Sequence, residues 1–283
     1  MTISDVAPAK TAQRRRSRLT LYIGGCLVAG ALATAAFAPL IAPHDPNLQD
    51  LDHRLEPPSR DHLLGLDELG RDVLARLIFG ARISVGVGLA VVLLAGSFGS
   101  LVGAISGYFG GVTDRLVMRT ADVFMAFPGI LLAIALVAVL GPAIRHVIIA
   151  LVIIGWVSYA RLVRGQVMRI KECEFVLAAK SLGFPARRIL VVHVLPNVVP
   201  VLVVQASLGM AGAILAEASL SFLGLGIQPP TPSWGAMINA GRSHLIDASH
   251  LSLFPGLAIL LTVMGLNFLG DALIDVLDPR SGD

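Results

Sequence analysis

EFVLAAKSLGFPARRILVVHVLPN runs from Glu174 to Asn197, and its reading decides what kind of protein surrounds it. Phe175, Ala178, Ala179 and Leu182 fall at i, i+3, i+4 and i+7, which is one face of a helix. Gly183 follows directly, where a helix C-terminus favours glycine. Pro185 suits the first turn of a second short helix, which carries Arg187 and Arg188. Pro196 marks the region where the chain enters its next apolar segment. The stretch predicts helix, glycine elbow, helix. It is too polar to cross a bilayer, and its small apolar residues suit a groove on another protein. A lipid headgroup layer fits less well, because alanine buries little area there.

Outside this stretch the chain is apolar almost throughout. Of 283 residues, 55% are hydrophobic and 14% charged, with a mean hydropathy of +0.78. Soluble domains carry roughly 25% charged residues. A soluble fold of this length could not bury so much apolar surface and still cover itself, so lipid is the expected solvent. The net charge of +3 comes from arginines at the ends of apolar segments, a pattern of membrane orientation and not of nucleic-acid binding. Cys26 and Cys173 lie in different segments and suggest neither a disulfide framework nor a metal site. The seven histidines are scattered without ligand spacing, and His146 and His193 read as interface residues.

A crossing helix needs about 20 apolar residues. Charges delimit six segments: 19–42, 83–113, 123–144, 147–160, 194–216 and 251–270. Snorkelling of Arg161 and Arg164 extends the fourth toward 165. The predicted fold class is an all-α polytopic membrane protein with six transmembrane helices. Its expected parts are a tail over 1–18, a first helix over 19–42, a loop over 43–82, a five-helix core over 83–275 containing the 166–193 loop, and a tail over 276–283. Fifteen of the 22 Lys and Arg fall on the side holding both termini and the opening stretch. That side is expected to be cytoplasmic. RRRSRLTL, with the apolar run to AFAP, also resembles a signal peptide or twin-arginine signal. The run exceeds the roughly 7–15 residues of a signal core, and Pro39 would follow the cut, so an uncleaved first helix is expected.

Several residues inside this frame invite a role. Ala95, Gly99, Gly103, Gly107 and Gly111 recur every four residues and form a helix-packing face, expected within the bundle and not as a dimer seam. Pro128 is a kink and gate candidate near the start of the third segment, with an ordinary membrane-helix kink the plainer reading. Glu217 is an acid embedded among apolar residues; cavity lining and a surface or packing role are both open to it. QPPTPSW after it predicts an extended external segment. The 43–82 loop holds eight acids and five arginines. Leu69, Val73, Leu74, Leu77 and Ile78 predict a short amphipathic helix over 67–82, either docking an extracytoplasmic partner or forming a solvated cap.

The motifs are also specific to a family. FVLAAKSLGFPARRILVVHVLPN resembles the cytoplasmic signature loop of ABC-importer permease subunits: an EAA triplet, a glycine after three further residues and an I-x-L-P-like ending. Ala178, Ala179, Gly183 and Leu195–Pro196–Asn197 match, while Leu177 stands where the triplet has glutamate. HLLGLDELGRDVLARLIFGARIS resembles the peptide-importer branch through Gly65, Asp67, Gly70, Arg71, Asp72, Arg76, Gly80 and Arg82, with Leu66 in place of an expected threonine. Ala216–Ile238 resembles the same branch, and the whole is most similar to the C-type subunit of dipeptide, oligopeptide and nickel importers. The resemblance implies a type I importer-like bundle that pairs with a second permease subunit, two ATPases and an extracytoplasmic binding protein. It implies that the opening stretch couples to an ATPase, that ATP–Mg is bound by the ATPases, and that peptides pass between the two permeases.

From the residues alone, no G-x-x-x-x-G-K-[ST] occurs, so this chain has no P-loop for ATP. A non-catalytic subunit that binds no cofactor or metal is expected. An ion-coupled secondary transporter is the alternative; it calls for midplane acids and inverted repeats, and Glu217 is its only candidate. A membrane hydrolase would need H-E-x-x-H or G-x-S-x-G, and neither is present.

Overall fold

The computed structural model describes the backbone of residues 7–277 and the side chains of 19–275. The outer ends of the two expected tails, 1–6 and 278–283, lie outside the described residues. Regular structure among the described residues is helical, apart from one isolated bridge between Leu66 and Asp72. The longer elements are α1 (Ala7–Ile41), α2 (Val73–Phe109), α3 (Gly111–Met125), α4 (Gly129–Leu140) and α5 (Ile144–Ile170). They are followed by α6 (Glu174–Ser181), α7 (Ala186–Arg188), α8 (Leu195–Phe222), α9 (Trp234–Gly241) and α10 (His250–Leu277). A π-helical turn, Ile189–Val194, joins α7 to α8.

Among the described residues five helices are long and apolar enough to span a membrane: Leu19–Ile41, Val73–Phe109, Ile144–Ile170, Ala186–Phe222 and His250–Asp275. The α3–α4 pair, bent by 84°, makes a sixth if counted as one span. The expected 123–144 helix is therefore broken. Its apolar half is α4, whose 12 residues reach only about 18 Å at ~1.5 Å each. Pro128 does not kink a continuous helix; it stands in the break as the residue before α4. A proline disfavours helical backbone in the residue before it, which ends α3 just upstream.

Other boundaries shift because charges taken as limits lie inside helices. Helix α2 begins at Val73, not Ile83, so the expected separate amphipathic helix over 67–82 does not exist. Val73, Leu74, Leu77 and Ile78 are its first turns. Helix α5 continues past Arg161 and Arg164 to Ile170. Those arginines pair with Asp122 and Asp114 of α3.

The chain divides into two compact units, one running up to Gly88 and from Met210 onward, the other Leu89–Gly209. In the first, α1 crosses α10 closely: a Cβ at Gly24 would sit 2.7 Å from Leu269 N, and one at Gly265 2.7 Å from Leu27 Cβ. Val73, Met237, Ala248 and Leu251 form a core under the α9–α10 turn. In the second, the glycine face of α2 packs against α5. A Cβ at Gly99, Gly103 or Gly107 would collide with the carbonyl oxygens of Trp156, Ala160 and Arg164, three successive turns of α5. Only glycine lets the backbones approach this far. Gly111 is not part of that face, because α2 ends at Phe109 and Gly110 and Gly111 turn the chain with φ of 65° and 60°.

Candidate functional site

Helix α6 buries Val176 and Ala179 against Val163, Val167 and Ile170 of α5 and against Ile189, Val194 and Val198. Phe175, Leu177, Ala178 and Leu182 remain exposed, Leu182 at 73%. The expected face is thus split: Ala179 turns inward, away from Phe175, Ala178 and Leu182. Five consecutive apolar residues, Phe175 to Ala179, leave periodicity with no contrast to choose a face.

Gly183 ends α6 with a φ of 77°. Its N–H donates to Lys180 O at 2.9 Å, and the Phe184 N–H donates to Ala179 O at 3.2 Å, which together make a Schellman motif. The guanidinium of Arg188 lies 4.4 Å from the centre of the Phe184 ring, which in turn stacks on His193. Arg187 and Arg188 are exposed. The second helix is not a separate element. Ala186–Phe222 is continuous through the π turn, where Leu195 N–H donates to Leu190 O, and Pro196 lies inside it without marking a boundary. Behind this elbow Asp114 accepts from Ser106 Oγ at 2.6 Å and from Arg164 Nη2 at 2.7 Å, with Arg164 Nε as a second donor. That bidentate pair ties α3 to α5.

The second set of singled-out residues lies in 43–82, and here the solvated-cap expectation fails. Asp67, Arg71, Asp72 and Arg76 are all buried. Asp67 accepts from the Leu69 and Arg71 backbone N–H groups and from Arg71 Nε at 2.7 Å, and Arg76 Nε lies 3.4 Å away. Arg76 also donates to Pro46 O at 3.0 Å. Gly65 and Gly70 take φ of 80° and 70°, and a Cβ at Gly70 would overlap Asp50 O. Asp72 caps α2, its Oδ1 accepting from Ala75 N–H at 2.7 Å. Gly80 lets Trp234 approach, and Arg82 is exposed.

The sequence reading missed that His44 and His62 both meet Asp72. His62 Nδ1 is 2.8 Å and His44 Nδ1 3.4 Å from Asp72 Oδ2. No spacing signalled this, since the three residues come from separate turns. His146 serves a local turn, bonding Gly141 O at 2.8 Å.

Glu217 is fully buried. Ser221 Oγ donates to its Oε1 at 2.7 Å and Ser84 Oγ to its Oε2 at 2.9 Å. The carboxyl therefore ties α8 to α2, an arrangement that fits the packing reading. In the segment after it, residues 228–231 are exposed while Ser233 and Trp234 are buried, and Trp234 Nε1 donates to Leu77 O at 3.0 Å.

Residues 99–282 match the family described as binding-protein-dependent transport system inner membrane component. Residues 15–58 match the N-terminal transmembrane domain of oligopeptide transport permease C. The chain is 45% identical over 257 residues to the glutathione transport system permease protein GsiD of Pectobacterium atrosepticum, covering 90% of this chain and 85% of that protein. It is 40% identical over 287 residues to the probable D,D-dipeptide transport system permease protein DdpC of Escherichia coli, covering 99% and 96%. It is 42% identical over 268 residues to the dipeptide transport system permease protein DppC of Alkalihalophilus pseudofirmus, covering 95% and 88%. Among solved structures, the inward-facing MetNI methionine ABC transporter shares the fold, with a TM-score of 0.52, 18% identity, and 68% of this chain and 93% of that chain covered. With its apolar helices, its elbowed α6 and this match over most of its length, the chain belongs to the inner-membrane components of binding-protein-dependent transport systems, the permease subunits of ABC importers.

Proposed function

We propose that this permease subunit moves short peptides, the cargo class shared by its named relatives, and that it is driven through α6 by a partner ATPase that hydrolyses ATP–Mg. The observation that carries this is the build of α6: one side is cemented into α5 and the 189–198 turn, while Phe175, Leu177, Ala178 and Leu182 stand free. An apolar face free on one side and rigid on the other suits helix-in-groove docking and passes motion on as rigid-body displacement. The 37-residue helix Ala186–Phe222 is the lever. Leu177 supplies apolar contact where the EAA triplet that this stretch resembles has glutamate. The 174–197 segment and both termini face the cytoplasm, and 43–82 faces the binding protein outside; the Lys and Arg asymmetry supports this orientation. A second permease subunit and two ATPases complete the assembly. Ion coupling has no support, because Glu217 is locked by serines and the family is a binding-protein-dependent one.

The test is Ala178→Trp, at an exposed position where bulk does not disturb the core. The variant should insert normally yet lose labelled-dipeptide uptake and ATPase co-purification by about tenfold or more, equivalent to ~1.4 kcal/mol of docking energy. Unchanged uptake sinks the docking role. Normal ATPase capture with no dipeptide uptake in the unmodified system sinks the cargo.

A further inference from the structure

We propose that His44, His62 and Asp72 form a binding site for a divalent cation of the zinc class. Among the described residues this is the group of three whose donor atoms all lie within 4.8 Å of one another. Both imidazoles present Nδ1 to the same carboxylate oxygen, at 2.8 and 3.4 Å. A tetrahedral zinc ion with bonds of about 2.0–2.1 Å holds its ligand atoms roughly 3.3 Å apart, and the two imidazole–carboxylate distances already bracket that spacing. Imidazole nitrogens with one carboxylate oxygen form a donor set suited to zinc and less suited to calcium or magnesium.

The surroundings orient these donors. Asp72 is 3% exposed at its side chain, and its other oxygen is held by the Ala75 N–H, leaving Oδ2 free to face the histidines. The His62 backbone N–H donates to Ser59 Oγ at 3.0 Å, and its carbonyl accepts from Ser59 N–H at 2.9 Å. These two bonds fix the backbone of the turn that carries His62. The positive charge of Arg71 and Arg76 is answered by Asp67, not by Asp72. His44 also lines an open pocket of about 460 Å³ with Pro39, Ala42, Asp45 and Phe79, so its ring is reachable from outside the fold. The cation would staple the chain just beyond α1, the 59–65 turn and the first residues of α2.

The experiment uses the full-length protein in detergent, free of any histidine tag and stripped with a chelator. Zinc is titrated in competition with a chromophoric chelator, cobalt is added as a spectroscopic probe, and the unfolding temperature is read with and without zinc. The wild type should take up one equivalent of zinc, show the visible bands of tetrahedral cobalt and unfold at a higher temperature with zinc. His44→Gln and His62→Ala should each weaken zinc binding by at least about tenfold and lose the cobalt bands. His44→Gln changes a partly exposed ring, so its unfolding temperature without zinc should match the wild type. No uptake by the wild type, or a variant that binds as tightly as wild type, overturns the site and leaves the cluster as a hydrogen-bonded clasp. None of these readouts depends on an ATPase or on cargo.

Discussion

The turn ahead of α2 and the elbow after α6 both looked like polar, patterned interruptions of an apolar chain, yet they are built in opposite ways. In the first, Asp67, Arg71, Asp72 and Arg76 are each no more than 8% exposed; Asp67 answers both arginines, and Asp72 is held by His62 and the Ala75 N–H. In the second, Lys180, Arg187 and Arg188 are exposed, and what is buried is aliphatic. The first spends its charges on holding its own shape, because a buried ion survives only when paired and hydrogen-bonded. The second keeps an apolar face outside and relies on a single glycine for its shape. A segment of the first kind tolerates little change. A segment of the second kind tolerates change in stability but not in what it meets.

The largest expected effect tests the first half of this contrast. Asp67→Ala strands Arg71 and Arg76 in a buried site and should cost about 3–5 kcal/mol, seen as a lowered unfolding temperature and poor membrane yield. Loss of less than about 1 kcal/mol would show that the arginines find water, and the contrast would break. Next comes Gly183→Ala. Nothing lies within 4 Å of the added Cβ, so its whole effect is the left-handed backbone at φ 77°. That costs about 1–2 kcal/mol, confined to the elbow. Uptake should fall more than global stability does, and the reverse order would mean that the elbow is scaffold. The smallest effect concerns the exposed rim of the first region. The hydrogen bond that His53 Nδ1 donates to the Asp50 carboxylate raises the His53 pKa above its ordinary value, and the same bond lowers that of Asp50. The pair's contribution is present between the two pKa values; it fades as pH rises through that of His53 and as pH falls through that of Asp50. An NMR titration should place His53 above an unperturbed histidine, and Asp50→Asn should bring it back down.

Much of the architecture was legible because it follows from local composition. Five of the six expected segments correspond to observed spanning helices. The elbow at Gly183 was readable because a helix end needing a left-handed residue leaves a glycine in the sequence. Misplaced boundaries share a cause: a charge was taken as a limit of the membrane segment at Arg82, Arg161 and Arg164, and helices run through all three. Two of them have acid partners on α3, 39 and 50 residues away, which no local window shows. The 43–82 signature was visible as residue types, but not that it is internal, since a paired buried arginine and a solvated one look identical in sequence.

What the amino-acid order determined alone was the solvent, the helical class, the close-packing glycine row and the elbow, all of which depend on composition and short-range period. Tertiary structure decided the rest: that Ala179 faces inward, that the 123–144 segment breaks, that Glu217 meets Ser84, and that His44 and His62 meet at Asp72. Those contacts join residues far apart in the chain, and their energy comes from burial and pairing, which exist only once the helices have packed.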